Sequence, residues 1–130
     1  MATREQILNY VSNRTKVEKQ NPIFDILLFE HEYKEKIYHT TKGYKPSGFP
    51  DLGSSADVGF YHDLDDAIQA MHENSCDIRE CVYNAGFVLC RFPGLYQCAG
   101  SDLRMYFTWN DEKGGFFEAE EPKIFEHIAY

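Results

Sequence analysis

The sequence predicts an α+β fold with a mostly antiparallel sheet of about five to six strands. A central helix is expected to pack on one face of the sheet, with short N- and C-terminal helices. Leu64, Ile68 and Met71 recur at helical spacing, and residues 103–109 alternate with the period of a strand. The predicted helices are too few to join all strands by crossovers, which favours hairpins. At 130 residues, we expect one domain over residues 1–130.

The first part of the chain is predicted to hold one helix and two strands. Thr3 and Gln6 have the spacing of a capping box, which predicts a helix ending near Asn13. Residues 23–30 form an apolar run without alternation, which is typical of a central strand covered on both faces. Residues 36–41 predict a second, more exposed strand that completes a hairpin.

The middle of the chain predicts a long loop followed by the central helix. Residues 40–59 are rich in Gly, Pro and Ser, and such a loop is either functional or a surface excursion. Residues 57–61 predict a brief strand, and Asp63 is the expected N-cap of the helix. The helix is expected to continue to Val82, either unbroken or divided near Asn74. Its apolar stripe consists of Leu64, Ile68, Met71, Ser75, Ile78 and Val82.

The last part of the chain predicts three further strands and a closing helix. Residues 86–92 read as a buried strand that Pro93 stops, and residues 103–109 as a strand with one buried face. Residues 110–115 supply a hairpin turn to the return strand, and Pro122 is suited to start a short helix. The predicted core consists of Leu64, Ile68, Met71, Phe87, Leu89, Met105, Phe107 and Trp109.

The formal net charge of −8 is concentrated in one part of the chain. Residues 1–50 carry +2 and residues 51–130 carry −10. Such a field disfavours binding to nucleic acid or anionic membranes and favours a basic protein partner. The alternative is a charge that only maintains solubility. No apolar run reaches the roughly 20 residues of a membrane helix, and the first ten residues do not read as a signal peptide. We therefore expect a cytoplasmic protein.

The cysteines and histidines give little indication of a metal or a nucleophile. His72, Cys76 and Cys81 would form half of a zinc site on the predicted helix, but no second half follows at a recurrent spacing. Cys90 is expected in a buried strand, and the thiols are expected to be free. We predict no metal, no cofactor and no catalytic residue.

One enzyme-like resemblance is carried by Tyr38-His39-Thr40 and by Gly59-Phe60-Tyr61. These segments, with a long loop between them and an acidic helix start after them, resemble the first elements of ADP-ribosyltransferases. The resemblance implies that His39 and Tyr61 hold a nicotinamide dinucleotide. The later glutamate of that family has no clear counterpart, since Glu118 and Glu120 lack the expected strand context.

A second resemblance covers residues 63–130. The segments that carry it are Gly94-Leu95-Tyr96, Trp109-Asn110, Lys113-Gly114-Gly115-Phe116-Phe117 and Glu120-Glu121-Pro122. They are similar to small uncharacterised acidic proteins of gut Firmicutes and their mobile elements. This resemblance implies a bacterial or phage accessory protein and supplies no catalytic residues.

The sequence thus favours an acidic binding protein over an enzyme. We expect an inhibitor or nucleic-acid mimic that acts on a basic protein, for instance a nucleic-acid-binding protein. The alternative function is an ADP-ribosyltransferase-like enzyme that uses His39 and Tyr61. The predicted partner-binding patch consists of Asp111, Glu112, Glu118, Glu120, Glu121 and Glu126.

Overall fold

The computed structural model describes residues 2–18, 21–31, 52–93 and 103–125. Two helices and five strands lie in these ranges. They are α1 (Arg4–Glu18), β1 (Ile23–His31), β2 (Leu52–Tyr61), α2 (Leu64–Glu73), β3 (Ala85–Arg91), β4 (Arg104–Asn110) and β5 (Gly115–Glu118). The predicted strand at residues 36–41 lies outside the described residues, as does most of the predicted loop before β2.

The strands form one antiparallel sheet in the order β2-β1-β3-β4-β5. An α+β fold with an antiparallel sheet is therefore confirmed. β1 pairs on both sides, with Phe24 opposite Tyr61 of β2 and opposite Cys90 of β3. Its apolar run reflects this position, because both faces of a strand inside a covered sheet are removed from water.

The prediction of a loop that continues to residue 59 is wrong. β2 begins at Leu52 and pairs with β1 along its whole length, with register shifts near Ile26 and Phe29. β2 is an edge strand of the described sheet, where small and polar residues such as Ser55 are tolerated. Its glycines and serines therefore resemble a loop in composition although the backbone is extended.

Helix α1 begins as the sequence predicts but is longer. The backbone N–H of Thr3 donates to Oε1 of Gln6 at 2.9 Å, and the N–H of Gln6 donates to the Thr3 hydroxyl at 3.2 Å, which confirms the capping box. The helix continues beyond Asn13 to Glu18. Arg14 supports this extension because its guanidinium lies 4.7 Å from the ring centre of Phe92. This contact packs the polar last part of α1 against the rest of the protein.

Helix α2 has the predicted start and an earlier end. The Asp63 side chain accepts from the Asp65 N–H, so Asp63 is the N-cap. Asn74 adopts a left-handed conformation and caps the C-terminus, and its Oδ1 accepts from the Arg79 N–H. The alternative that the helix divides near Asn74 is confirmed, and its unbroken continuation to Val82 is wrong. The Asn74 cap turns the backbone away and leaves Val82 exposed.

The face of the sheet that carries α1 and α2 holds the larger core. Leu64, Ala67 and Met71 of α2 and Ile7 of α1 pack against it. The sheet contributes Phe24, Ile26, Leu28, Val88, Cys90, Met105, Phe107 and Phe116. The predicted core is confirmed for Leu64, Met71, Phe87, Leu89, Met105 and Phe107, whereas Ile68 and Trp109 are half-buried.

The opposite face holds an aromatic cluster and a buried ion pair. Phe29, Phe87, Tyr106 and Phe125 pack together, with the ring centres of Phe29 and Phe87 5.4 Å apart. Arg104 is fully buried between them and Glu121. The prediction that β4 buries only one face is therefore wrong. The alternating polar residue Arg104 faces a second core rather than solvent, because Glu121 neutralises it there.

The segment after β5 covers this second face. Nε of Arg104 donates to Oε1 of Glu121 at 2.7 Å, and its Nη2 donates to Oε2 of Glu121 at 3.2 Å and to the Phe125 carbonyl at 2.8 Å. Pro122 precedes a 3-10 turn at Lys123–Phe125, which is what the described residues contain of the predicted closing helix. These bonds hold Phe125 against the sheet.

The turn into β5 depends on two glycines. Gly114 has a left-handed φ of 68°, which lets the hairpin turn close. At Gly115 a Cβ atom would lie 1.9 Å from the carbonyl oxygen of His72, so the end of α2 meets β5 backbone to backbone. Gly115 therefore sets the distance between α2 and the hairpin. Neither described helix is long and apolar enough to cross a membrane.

We predict that Gly115→Ala lowers the free energy of unfolding by about 1 to 3 kcal/mol, because the added methyl group forces α2 away from β5. Gly114→Asn is the control, since its Cβ would meet open space and asparagine tolerates the left-handed region. Urea titration of both variants measures the effect. Equal stability of Gly115→Ala and the wild type would contradict the close approach.

We also predict that Glu121→Gln lowers the free energy of unfolding by about 3 to 5 kcal/mol, because it leaves the Arg104 charge buried without its carboxylate partner. The double variant Arg104→Met/Glu121→Leu should recover most of this loss, because it removes both buried charges together. A double variant at least as unstable as Glu121→Gln would show that the pair contributes more than mutual neutralisation.

Candidate functional site

The structure separates the predicted acidic patch into exposed and buried members. Asp111, Glu112, Glu118 and Glu120 are exposed on the β4–β5 hairpin and the segment that follows it. Glu121 is only 3% exposed in its side chain and pairs with Arg104, so it is corrected from a surface carboxylate to a core residue. Glu126 lies outside the described residues. An exposed patch thus keeps four of the six predicted positions.

The hairpin turn has a defined local structure. Nε1 of Trp109 donates to Oδ1 of Asp111 at 2.7 Å, and the Lys113 N–H donates to Oδ1 of Asn110 at 3.0 Å. The Lys113 ammonium lies 4.6 Å from the ring centre of Phe117. These contacts fix the turn that carries Asp111 and Glu112, so their carboxylates occupy a defined region of the surface.

Exposed charge in the described ranges is strongly unbalanced. Beyond the hairpin, the exposed carboxylates there are Glu5, Asp57, Asp63, Asp65, Asp66, Glu73, Asp77 and Glu80. The exposed lysines of the same ranges are Lys16, Lys113 and Lys123, and the arginines are half-buried or buried. A solubilising surface usually mixes both signs. An excess of exposed carboxylates suits the attraction of a cation or a basic protein, and it also keeps a protein in solution.

A cavity of about 400 Å³ opens between the start of α1, helix α2 and strands β4 and β5. It is lined by Ala2, Thr3, Arg4, Asp65, Ile68, His72, Met105, Tyr106 and Glu118. Its walls are mainly apolar, and ionisable groups stand at two of its sides. A volume in this range with a few convergent polar groups is typical of small-ligand sites.

The ionisable groups of the cavity form two pairs. Nε and Nη2 of Arg4 donate to the two oxygens of Asp65 at 2.7 and 2.8 Å, which ties α1 to α2. His72 forms a hydrogen bond with Oε1 of Glu118 and so ties α2 to β5. The sequence predicted Glu118 as a surface residue but missed Arg4 and Asp65, since 61 positions separate them and neither belongs to a motif.

His72 is further positioned by aromatic contacts. Its ring is stacked on Phe117 with the ring centres 4.5 Å apart, and it lies edge-on to Phe107 at 6.4 Å. The backbone contact at Gly115 places the end of α2 beside β5. Glu118 therefore meets a ring whose orientation is set by packing as well as by the hydrogen bond.

Two neighbouring carboxyls, those of Asp25 and Asp57, lie on the face of the sheet opposite the cavity. Nε of Arg91 donates to Oδ2 of Asp25 at 3.2 Å, and the Asp25 side chain is 8% exposed. Burial, together with a hydrogen bond that protonated Asp25 donates to the neighbouring Asp57 carboxylate, raises the pKa of Asp25 to about 7, and Arg91 acts against this rise. Strongly shifted carboxyls are found at functional sites and also in structural networks. Here the pair links the edge strand β2 to β1.

The residues of the enzyme-like resemblance are only partly described. Tyr61 is the last residue of β2 and is 37% exposed. It lines a cleft of about 190 Å³ together with Asp66, Gln69, Ala70, Glu73 and Ser75. His39 lies outside the described residues. The dinucleotide hypothesis, which needs both His39 and Tyr61, therefore stays a prediction.

The predicted zinc half-site does not have the geometry that the sequence suggested. Helix α2 ends at Glu73, so Cys76 does not lie one helical turn beyond His72. Cys76 and Cys81 are exposed and free, and no three His, Cys, Asp or Glu residues in the described ranges are arranged to hold a metal ion. Cys90 is buried in β3, and burial raises the pKa of its thiol to about 11, which disfavours the reactive thiolate.

No protein-family model, curated protein or solved structure matches this sequence. The candidate site is therefore defined by its own geometry, namely the exposed carboxylates of the hairpin and the adjoining cavity.

The shifted carboxyl predicts a pH dependence of stability. Between the unfolded pKa of about 3.9 and the folded pKa of about 7, the folded protein keeps a proton that the unfolded chain has released. The stabilisation from Asp25 is therefore complete below pH 4 and is lost as the pH rises through 7. Asp25→Asn, which mimics the protonated carboxyl, should remove this decline from the free energy of unfolding.

Urea titrations from pH 4 to pH 8 would measure this difference. Asp66→Asn serves as the control because Asp66 is exposed on α2. The quantity to compare is the difference in the free energy of unfolding between each variant and the wild type at each pH, since other groups titrate in the same range. A slope in Asp25→Asn identical to that of the wild type would contradict the protonated pair.

Proposed function

We propose that this chain is a soluble, cytoplasmic binding protein that holds a basic protein partner on its exposed carboxylates and has no catalytic role. We further propose that it is an accessory factor of a bacterial mobile element or phage and inhibits a nucleic-acid-binding protein. The supporting observation is the excess of exposed carboxylates over exposed lysines in the described ranges.

The arrangement of the carboxylates supports this proposal more than their number does. Asp111 and Glu112 project from a turn fixed by Asn110 and Trp109, and Glu118 and Glu120 follow in the same hairpin and its exit. A protein that grips nucleic acid presents lysines and arginines to a row of phosphates. Exposed carboxylates on one hairpin and its exit offer those side chains the same sign of charge and speed their encounter.

Glu121 makes a different contribution from the one that the sequence suggested. Its carboxylate is used by Arg104 in the core, so it does not add to the field at the surface. It anchors the segment that follows β5, and Glu120 lies on that segment. Charge reversal at Glu121 would therefore test folding rather than binding.

We predict that the triple variant Asp111→Lys/Glu112→Lys/Glu120→Lys loses capture of basic partners from a bacterial lysate. With each captured partner, the association rate constant should fall by about tenfold or more, because the field that steers encounter is reversed. Wild-type capture should also weaken as salt rises above about 0.1 M, where the Debye length falls below about 10 Å. Affinity capture followed by surface plasmon resonance measures both effects.

The matched control is Glu5→Lys/Asp77→Lys/Glu80→Lys, which changes the net charge equally at exposed positions that are not part of the β4–β5 hairpin. It should retain most of the capture, and circular dichroism should show an intact fold in both variants. Equal recovery of partners by the wild type and the hairpin variant would refute the proposal. Equal loss of capture in both triple variants would show that capture depends on the net charge and not on the position of the hairpin carboxylates.

A further inference from the structure

We infer that the cavity between α1, α2 and β5 receives an arginine side chain of the basic partner. This inference rests on the proposed function and assigns its anchoring contact. Buried arginines are among the side chains that dominate the energy of protein interfaces, because they combine an apolar stem with a planar charged head.

The shape and walls of the cavity suit the stem of such a side chain. Ala2, Ile68 and Met105 provide an apolar surface, and the volume of about 400 Å³ accommodates one long side chain with the backbone that carries it. Ile68 is half-buried although it lies on the inward stripe of α2. A methylene chain placed here would cover its remaining exposed surface.

The charges at the rim suit a guanidinium head. The hydrogen bond between Glu118 and His72 uses Oε1, and the Glu118 side chain is 45% exposed, so within the described residues Oε2 is available to accept from a further donor. The rim already binds one guanidinium, since Arg4 meets both oxygens of Asp65 in a fork. A guanidinium of the partner can donate to Oε2 of Glu118 and can stack its planar face on an aromatic ring such as that of His72.

An anionic ligand is less compatible with this rim. Arg4 is engaged by Asp65 and also by Glu5 at 2.8 Å, so its charge is already compensated. An incoming anion would meet the carboxylates of Asp65 and Glu118. Charge complementarity therefore selects a cation, and the apolar walls select one with an aliphatic stem.

The inference is tested by NMR titration of the ¹⁵N-labelled protein with n-butylguanidinium, well below denaturing concentrations. Saturable shifts should be confined to the amides of cavity residues, including Ile68, Met105 and Glu118. Butanoate, which has a similar stem with the opposite charge, should give no saturable shift. n-Butylamine should bind more weakly, because an ammonium has no planar face to stack on the His72 ring.

Two variants test separately how the guanidinium head and the aliphatic stem of the ligand contribute to binding. Glu118→Gln should weaken n-butylguanidinium binding by about fivefold or more, whereas Glu120→Gln, at an exposed position outside the cavity, should not. Ile68→Phe, which narrows the cavity and keeps Glu118, should also abolish the shifts. Its own spectrum reports whether the fold is retained.

The outcomes distinguish the inference from the proposed function. Absent or delocalised shifts, equal binding of butanoate, or unchanged binding in Ile68→Phe would overturn the inference. If partner capture still depended on the hairpin carboxylates in that case, the proposed function would stand. Conversely, saturable binding in the cavity with no captured basic partner would refute the proposed function and the assignment to a partner's arginine.

Discussion

The buried pair between Arg104 and Glu121 is the interaction on which the second face of the sheet depends. A guanidinium with no exposed surface is tolerated only where its donors are satisfied, and here two go to one carboxylate and one to the Phe125 carbonyl. These bonds draw the segment after β5 across the sheet. The aromatic cluster is closed by the same segment, since Phe125 contacts Phe29, Phe87 and Tyr106.

A second constraint acts on the other face and shapes the candidate site. The backbone contact between Gly115 and His72 brings the end of α2 against β5, and this contact places His72 within hydrogen-bonding reach of Glu118. At the start of α2, Arg4 and Asp65 set the distance to α1. The cavity lies between these two ties. Its dimensions therefore follow from backbone packing and two polar pairs rather than from loop conformation.

The sequence predicted correctly those features that depend on interactions between residues close together in the chain. The capping box of Thr3 and Gln6 and the Asp63 cap lie within a few residues, and the apolar run of β1 records a strand with two neighbours. The predictions that failed depend on contacts between residues that are far apart in the sequence. The first half of β2 was missed, although a brief strand was predicted at residues 57–61, because pairing with β1 stabilises a sequence with little strand propensity. Glu121 read as surface charge because its partner lies 17 residues away on a strand that alternates like a half-exposed one.

The candidate site was predictable only in part for the same reason. The density of carboxylates around the β4–β5 turn is visible in the sequence, and four of those residues are exposed in the structure. The cavity was not visible, since it joins Ala2, Asp65, Met105 and Glu118 from four separate segments. Periodicity reports which face of an element is apolar, but not how far apart two elements lie.

The position of Glu121 along the chain has a consequence for synthesis on the ribosome. Strands β1, β3 and β4 are synthesised before the segment that covers their aromatic face, so Phe29, Phe87 and Tyr106 lack this cover until residues 121–125 have been added. The aromatic face can therefore close only after the residues around Glu121 are present, so its completion is a late step of folding.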